Sequence, residues 1–309
     1  MRFLITGGTG TFGSALVEKL LKNGNDEIIV FSRDEYKQYL MREKYKTDKL
    51  KFVIGYIRNI DSLNACMKNV DYVFHAAAMK HVRICEENPQ EAILTNVIGT
   101  QNVLKSAIEY DVKKVVILST DKAVCPQNTL GLTKALAEKL ALSFVPTSKT
   151  KIFITRFGNL MMSRGSVLEK FVDLAKQGMS LTVTSPNMER FMMTIEDAIN
   201  LILFAFSSDN SGHIFIKKSK VFNILMVAQV INDLYKNKAP IEIIPSINGE
   251  KEIEALVYNE KVIEHDDYYE IDPNNTIGEM KTILSTDYLK ESPESIKNIL
   301  QDLLEMKHN

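Results

Sequence analysis

Cysteine is scarce and tryptophan is absent from this chain of 309 residues, which holds Cys66, Cys85 and Cys125 and no Trp. The three cysteines share no metal-ligand spacing. Their odd number argues against a disulfide framework and fits a reducing compartment. No charge of either sign dominates: 38 Lys and Arg face 39 Asp and Glu, a formal net charge of −1. That balance argues against a chain built around a polyanion such as nucleic acid. No apolar run reaches the roughly 18–20 residues of a membrane span. Thr6, Gly7 and Gly8 interrupt the N-terminal apolar run before an export signal can form. What is present is ordinary for a globular protein, 45% hydrophobic and 25% charged, enough for a sizeable core and too apolar for extended disorder. The expectation is a soluble, cytoplasmic protein of one large domain or two smaller ones, with no nucleic-acid, membrane or metal partner.

Apolar β-branched or aromatic runs at Arg2–Ile5, Glu27–Phe31, Lys51–Ile54, Asp71–His75, Lys114–Leu118 and Lys151–Thr155 predict strands. Helical periodicity falls at Ser14–Asn23, Ser62–Lys68, Pro89–Tyr110 and Gly131–Ser143. Strands alternating with helices predict a parallel sheet covered on both faces. After Asn159 the pattern loosens, with helices expected at Val167–Gly178, Ile195–Phe206, Ile224–Lys236 and Ser295–Met306. The acid-rich stretch Gly249–Asp272 reads as solvated surface. The methionines Met161, Met162, Met192 and Met193 read as core packing.

Between the first strand and the first helix stands Thr6-Gly7-Gly8-Thr9-Gly10-Thr11-Phe12-Gly13. Small residues there let the backbone turn tightly and approach a diphosphate, which the free N–H groups and partial positive charge of the helix start attract. Gly7, Thr9, Gly10, Thr11, Phe12 and Gly13 are the candidate cofactor contacts. The fold class follows: α/β, a Rossmann-like doubly wound parallel sheet over residues 1–158. A smaller α/β substrate domain follows over 159–309, with some chain crossing back. The second strand ends in Ser32-Arg33-Asp34, with Lys37 nearby. A hydroxyl and two cations suit a 2′-phosphate and point to NADP. The other reading makes Asp34 the acid that binds a free ribose hydroxyl.

The strand at Lys114–Leu118 runs into Ser119-Thr120-Asp121-Lys122. Ligands of doubly wound sheets bind beyond the carboxyl ends of the strands. A hydroxyl, a carboxylate and an ammonium there can serve as donor, acid and base, or form an ordinary surface ion pair. His75 and His81 lie near the end of another strand and read as structural.

These segments together resemble the extended short-chain dehydrogenase/reductases. More closely, they are similar to the soluble UDP-N-acetylglucosamine 4,6-dehydratases of the polysaccharide-biosynthesis group, including those that invert C5. The matching stretches are Thr6–Gly13, Phe31–Gln38, His75–Val82, Thr95–Val103, Ser119–Ala123, Gly131–Lys134, Arg156–Asn159, Ser163–Val167 and Arg190-Phe191, with a weaker echo at Gly249-Glu250-Lys251. Many short-chain dehydrogenases place a Tyr four residues before the helix Lys, here Lys134. Leu130 occupies that position, and a subgroup that makes L-sugar precursors carries Met there. Tyr56, Glu189, Ile247 and Ile253 depart from the residues common in the group.

The resemblance implies transient oxidation of the sugar by bound NADP, loss of water across C5 and C6, and a homo-oligomer, a dimer or a dimer-based hexamer. Asp121 would be the acid for the C6 hydroxyl. Lys122 would be the C5 base, as a neutral amine whose pKa burial and a neighbouring cation lower. Thr120 would donate to the C4 oxygen. Lys134 would hold the nicotinamide ribose, and Ala76 and Ala77 would line the cofactor site. Lys80, Asn159, Arg164, Ser166, Val167, Arg190 and Glu250 would bind the UDP-sugar. The rival readings are an NADP-dependent 4-epimerase and a dinucleotide-binding scaffold without catalysis.

Overall fold

The computed structural model describes residues 1–24, 27–246, 248–273 and 278–308. Ile247 lies outside the described residues. The first half contains β1 (Arg2–Thr6), α1 (Thr11–Lys22), β2 (Glu27–Ser32), α2 (Glu35–Tyr45), β3 (Leu50–Ile54), α3 (Ile60–Met67), β4 (Tyr72–His75), α4 (Val82–Glu87), α5 (Pro89–Ala92), α6 (Gly99–Glu109), β5 (Lys114–Leu118), α7 (Thr129–Phe144) and β6 (Lys151–Arg156). A π-helical turn, Ile93–Ile98, joins α5 to α6, and a 3-10 turn, Asp121–Ala123, follows β5. The second half contains β7 (Asn159–Leu160), α8 (Val167–Lys176), β8 (Leu181–Val183), β9 (Glu189–Met193), α9 (Ile195–Ser207), β10 (Ile214–Lys217), β11 (Lys220–Asn223), α10 (Ile224–Tyr235), β12 (Ile241–Ile243), β13 (Ala255–Glu264), β14 (Tyr268–Ile271), β15 (Glu279–Leu284) and α11 (Pro293–His308).

The main sheet has ten strands in the order β15-β13-β14-β10-β6-β5-β4-β1-β2-β3. It is parallel from β3 through β10, and β14, β13 and β15 add to it antiparallel. The strand period of two splits its side chains between two cores. Phe3, Ile5, Val30, Phe74 and Phe153 pack under α1 and α9. Leu4, Ile29, Val115, Ile117 and Ile152 pack under α3, α6 and α7. With both faces covered, the strands read as unbroken apolar runs. A third core joins α8, α10 and α11 around Phe171, Phe222, Val227 and Ile296, and this smaller lobe also carries β11-β9-β7 and β12-β8. Met161, Met162 and Met192 pack in it, and Met193 packs under α9.

One expectation needs correction. The stretch from Gly249 to Asp272 is not solvated surface. It supplies β13 and β14, with Leu256, Val257, Val262 and Tyr269 buried. Helix α2 carries no apolar period in its sequence, because only Gln38 and Met41 are buried on it. Its local signal is the cap: the Asp34 carboxylate accepts the backbone N–H of Lys37 at 3.0 Å. Among the described residues no helix is long and apolar enough to cross a membrane.

Candidate active site

The chain leaves β1 through Gly7, whose φ of +69° is in the left-handed region. A Cβ there would lie 2.8 Å from the Ala77 nitrogen, so only glycine fits. The Gly7 N–H donates to the Phe31 carbonyl at 2.8 Å, tying the turn to the end of β2. Helix α1 starts after Gly10 with no side-chain cap and no acid in its first turn. Its first N–H groups and positive dipole end are therefore left for an anion. This cradle fits the diphosphate of a dinucleotide. Gly10, Thr11, Phe12 and Gly13 line the main cleft, as does Gly7. Thr9 is half-buried and lies outside its lining.

At the end of β2 the expected cations divide. Arg33 is exposed and borders a smaller recess of about 130 Å³ with Gly7, Ser32, Tyr56, Arg58 and Ala77. Lys37 instead forms an ion pair with Asp34. Asp34 is thereby engaged twice, once as the helix cap and once by the ammonium. The Ser32 hydroxyl accepts from Gln38 Nε2 at 3.0 Å.

The main cleft has a volume of about 970 Å³ and runs from the glycine turn to the smaller lobe. Thr120, Lys122, Lys134, Ala76, Ala77, Lys80, Asn159, Arg164, Ser166, Val167, Arg190 and Glu250 all line it, so the fold brings these residues to one place. Several are already engaged. Lys80 Nζ donates to the Arg164 carbonyl, and the Arg164 N–H donates to Thr11 Oγ1 at 3.2 Å. The 163–167 loop thus closes over the glycine turn. Ser166 caps α8 by accepting from the Glu169 N–H at 3.3 Å.

Asp121 is fully buried beneath the cleft wall. Its Oδ1 accepts from Thr120 Oγ1 at 2.8 Å and from Lys122 Nζ at 3.0 Å. The Thr120 hydroxyl thus links the buried Asp121 to the cleft that Thr120 lines. Lys122 Nζ also donates to Asn159 Oδ1 at 3.0 Å and lies 3.4 Å from Glu254 Oε1. Burial by itself would lower the Lys122 pKa, but Asp121 and Glu254 outweigh burial and raise it. The expected neutral amine is thus an ammonium at rest. Burial, reinforced by Glu254, raises the Asp121 carboxyl against the opposing pull of Lys122.

Leu130 is buried in a small apolar cluster with Cys85 and Ala92, and its edge reaches the cleft. Lys134 donates to the Leu118 carbonyl, and burial pushes its pKa down to about 8 against the attraction of Glu138. Behind this wall the Ser119 hydroxyl donates to Glu138, which also accepts from Arg156 Nη2 at 2.8 Å. Asn96 sits in the π-helical turn and accepts the Met79 N–H at 2.8 Å, while its amide donates to Thr133 Oγ1 at 3.0 Å. It pins the loop after β4 to α7.

His75 lies between Thr6 Oγ1 at 2.7 Å from Nδ1 and Thr100 Oγ1 at 3.0 Å from Nε2. Thr100 spends its proton on the Asn96 carbonyl, so His75 Nε2 carries the ring proton and Nδ1 accepts from Thr6. Burial, aided by the charge of Lys134, pushes the His75 pKa down to about 3, and the ring stays neutral.

Sequence reasoning missed Glu254 and gave Lys251 only the weak echo. Both are buried, and their charged ends meet at 3.1 Å. The sole local signal was an acid three residues beyond a base in an acid-rich stretch.

Residues 3–273 match the model of the family described as polysaccharide biosynthesis protein. The chain belongs to that family. Curated relatives named UDP-glucose 4-epimerase include one from Rickettsia rickettsii, 44% identical over 97% of this chain and 95% of its own. One from Rickettsia prowazekii is 43% identical over 99% and 96%. Among solved structures, Pen from Bacillus thuringiensis superposes with a TM-score of 0.93 at 39% identity over 97% of both chains. DesIV, a dTDP-glucose 4,6-dehydratase from Streptomyces venezuelae with NAD and TYD bound, has a TM-score of 0.75 at 22% identity over 81% of this chain and 86% of its own. The chain shares with DesIV a Rossmann-like fold.

Proposed function

We propose that the protein is a 4,6-dehydratase acting on UDP-N-acetylglucosamine with NADP and inverting C5. The observation that carries this reading is Lys122 on the cleft wall, paired with the buried Asp121 behind it, in a cleft that the apolar Leu130 also lines. A 4-epimerase needs proton exchange at one oxygen only. Dehydration needs two groups, an acid for the departing C6 hydroxyl and a base for the C5 hydrogen. Passage of one proton from Lys122 Nζ to Asp121 Oδ1, across 3.0 Å, turns the resting ion pair into a carboxylic acid and a neutral amine at once. The buried acid then reaches the leaving hydroxyl through Thr120 Oγ1, which bridges Asp121 to the cleft; the amine takes the C5 proton, and the ion pair is restored. The proton that leaves the C4 hydroxyl passes to solvent, and C5 takes one proton back from solvent; delivery to the opposite face inverts the centre. The glycine turn, Arg33 and Lys134 would hold the dinucleotide. When bound, it supplies reversible oxidation of the sugar.

Incubation of the pure protein with UDP-N-acetylglucosamine in D₂O, read by NMR, tests the reading. The expected product carries a new 6-methyl signal, deuterium at C5 and the L configuration. A product epimeric at C4 and lacking the methyl group would establish the second reading, 4-epimerisation, which the names of the 44% identical relatives favour.

NADP is expected to bind more tightly than NAD because Arg33 stands open at the recess while Asp34 is occupied by Lys37. Arg33→Ala removes a charge-assisted contact of about 1.5–3 kcal/mol. Titration should show NADP weakened roughly 10–100-fold and NAD unchanged. Equal wild-type affinities would reject the preference.

A homodimer is expected through α6 and α7. Leu132 and Leu136, one turn apart on α7, are 56% and 53% exposed, with Ile93 and Ile98 also open to solvent nearby in the chain leading to α6. Light scattering should give an oligomer for the wild type and a monomer for Leu132→Glu/Leu136→Glu. A monomeric wild type at micromolar concentration would end the proposal.

A further inference from the structure

Glu254 is 2% exposed, in the segment just before β13. Its carboxylate faces three cations: Lys122 at 3.4 Å, Lys251 at 3.1 Å and Arg190 at 4.0 Å. The Lys122 ammonium in turn has three acceptors within reach, on Asp121, Asn159 and Glu254. Three acceptors match the three protons of an ammonium. Lys122 is thus held from one side by the turn after β5, from a second by the start of β7, and from a third by residue 254.

We propose that Glu254 is a positioning residue that aims Lys122 Nζ and sets the pH range in which the Asp121–Lys122 pair exchanges protons. This rests on the reading of that pair as the acid and base of dehydration. The charged groups facing Lys122 are Asp121, Glu254 and Arg190; those facing Glu254 are Lys122, Arg190 and Lys251. If the Glu254 charge is removed, Lys122 keeps one anion against one cation, and its ammonium loses support. Asp121 simultaneously loses a like charge that favours its protonated form. Both effects have the same sign. The two macroscopic pKa values of the pair move to lower pH, and the bell-shaped profile between them moves with them. A residue that served only to pack the segment would lower the rate without moving the profile.

The test is the pH profile of C5–H exchange in D₂O with UDP-N-acetylglucosamine. Glu254→Gln should move the profile down by about one pH unit or more, with a lower maximum. Glu254→Asp retains the charge and should restore the wild-type position of both limbs, even where its maximum rate is reduced. A second readout needs no turnover: the pH dependence of Lys122 labelling by acetic anhydride, read by mass spectrometry. Its midpoint should fall in Glu254→Gln and return in Glu254→Asp, each compared at a temperature where its thermal unfolding curve shows it folded. Unmoved profiles and unmoved labelling in a folded Glu254→Gln would overturn the inference. A wild type without C5 exchange, whose labelling midpoint still responds to Glu254, would overturn the dehydratase reading while upholding the hold of Glu254 on Lys122.

Discussion

Lys122→Met should abolish dehydration and C5 exchange, with a loss of at least about 10³-fold in kcat. Methionine nearly keeps the length of the side chain and removes every proton it can carry. The effect is larger than loss of a base alone. Asp121 and Glu254 both lean on the Lys122 ammonium, so the variant leaves two buried carboxylates without the cation between them. One of them will take up a proton, which removes the charge pattern that drives the exchange. Because Lys122 stands apart from the glycine turn, dinucleotide binding should persist, and it serves as the control for folding. C5 exchange above a tenth of the wild-type rate would take the base role away from Lys122. Retained C4 epimerisation in the same variant would favour the second functional reading.

Gly131→Ala should cost about 10²-fold in kcat with cofactor affinity unchanged. A Cβ on Gly131 would lie 2.2 Å from the Lys122 carbonyl oxygen and 3.1 Å from Pro126 Cβ. The first turn of α7 therefore rests directly on the backbone of the 3-10 turn at Asp121–Ala123. One methyl group must push that turn aside, and displacement of reacting groups by about an ångström costs on the order of 10²-fold. The overpacking itself should lower stability by about 1–3 kcal/mol. Steady-state kinetics, cofactor titration and thermal unfolding of the variant separate the three effects. A wild-type kcat would show that the turn has room to move and that its position does not govern the rate.

The parts of the site legible in the sequence are those that local chain geometry encodes. The glycine turn stands between a strand and a helix in consecutive residues, and its contacts to Phe31 and Ala77 follow from the parallel order of the strands. Asp121 and Lys122 were visible as a pair because they are adjacent. Their proton state was not, because the second carboxylate arrives from residue 254. The acidic composition around Glu254 suggested solvent, and only the tertiary structure shows that Lys122, Lys251 and Arg190 absorb its charge. Helix α2 was illegible for the opposite reason: it buries so little that no apolar period marks it. The ion pair of Lys37 with Asp34 is likewise a matter of side-chain geometry, which residue type and position do not reveal.

The order of strands has a consequence for how the chain folds during synthesis. When residues 1–158 have emerged, β6 is the bare edge of the sheet, since its far neighbour β10 begins only at Ile214. The face carrying Phe3, Tyr72 and Phe74 is covered by α1 alone, because Phe206 of α9 has yet to pack against all three. An open strand edge and an aromatic patch are both invitations to mispairing. The sheet and the aromatic face of the glycine-turn half are therefore complete only once α9 and β10 have been made.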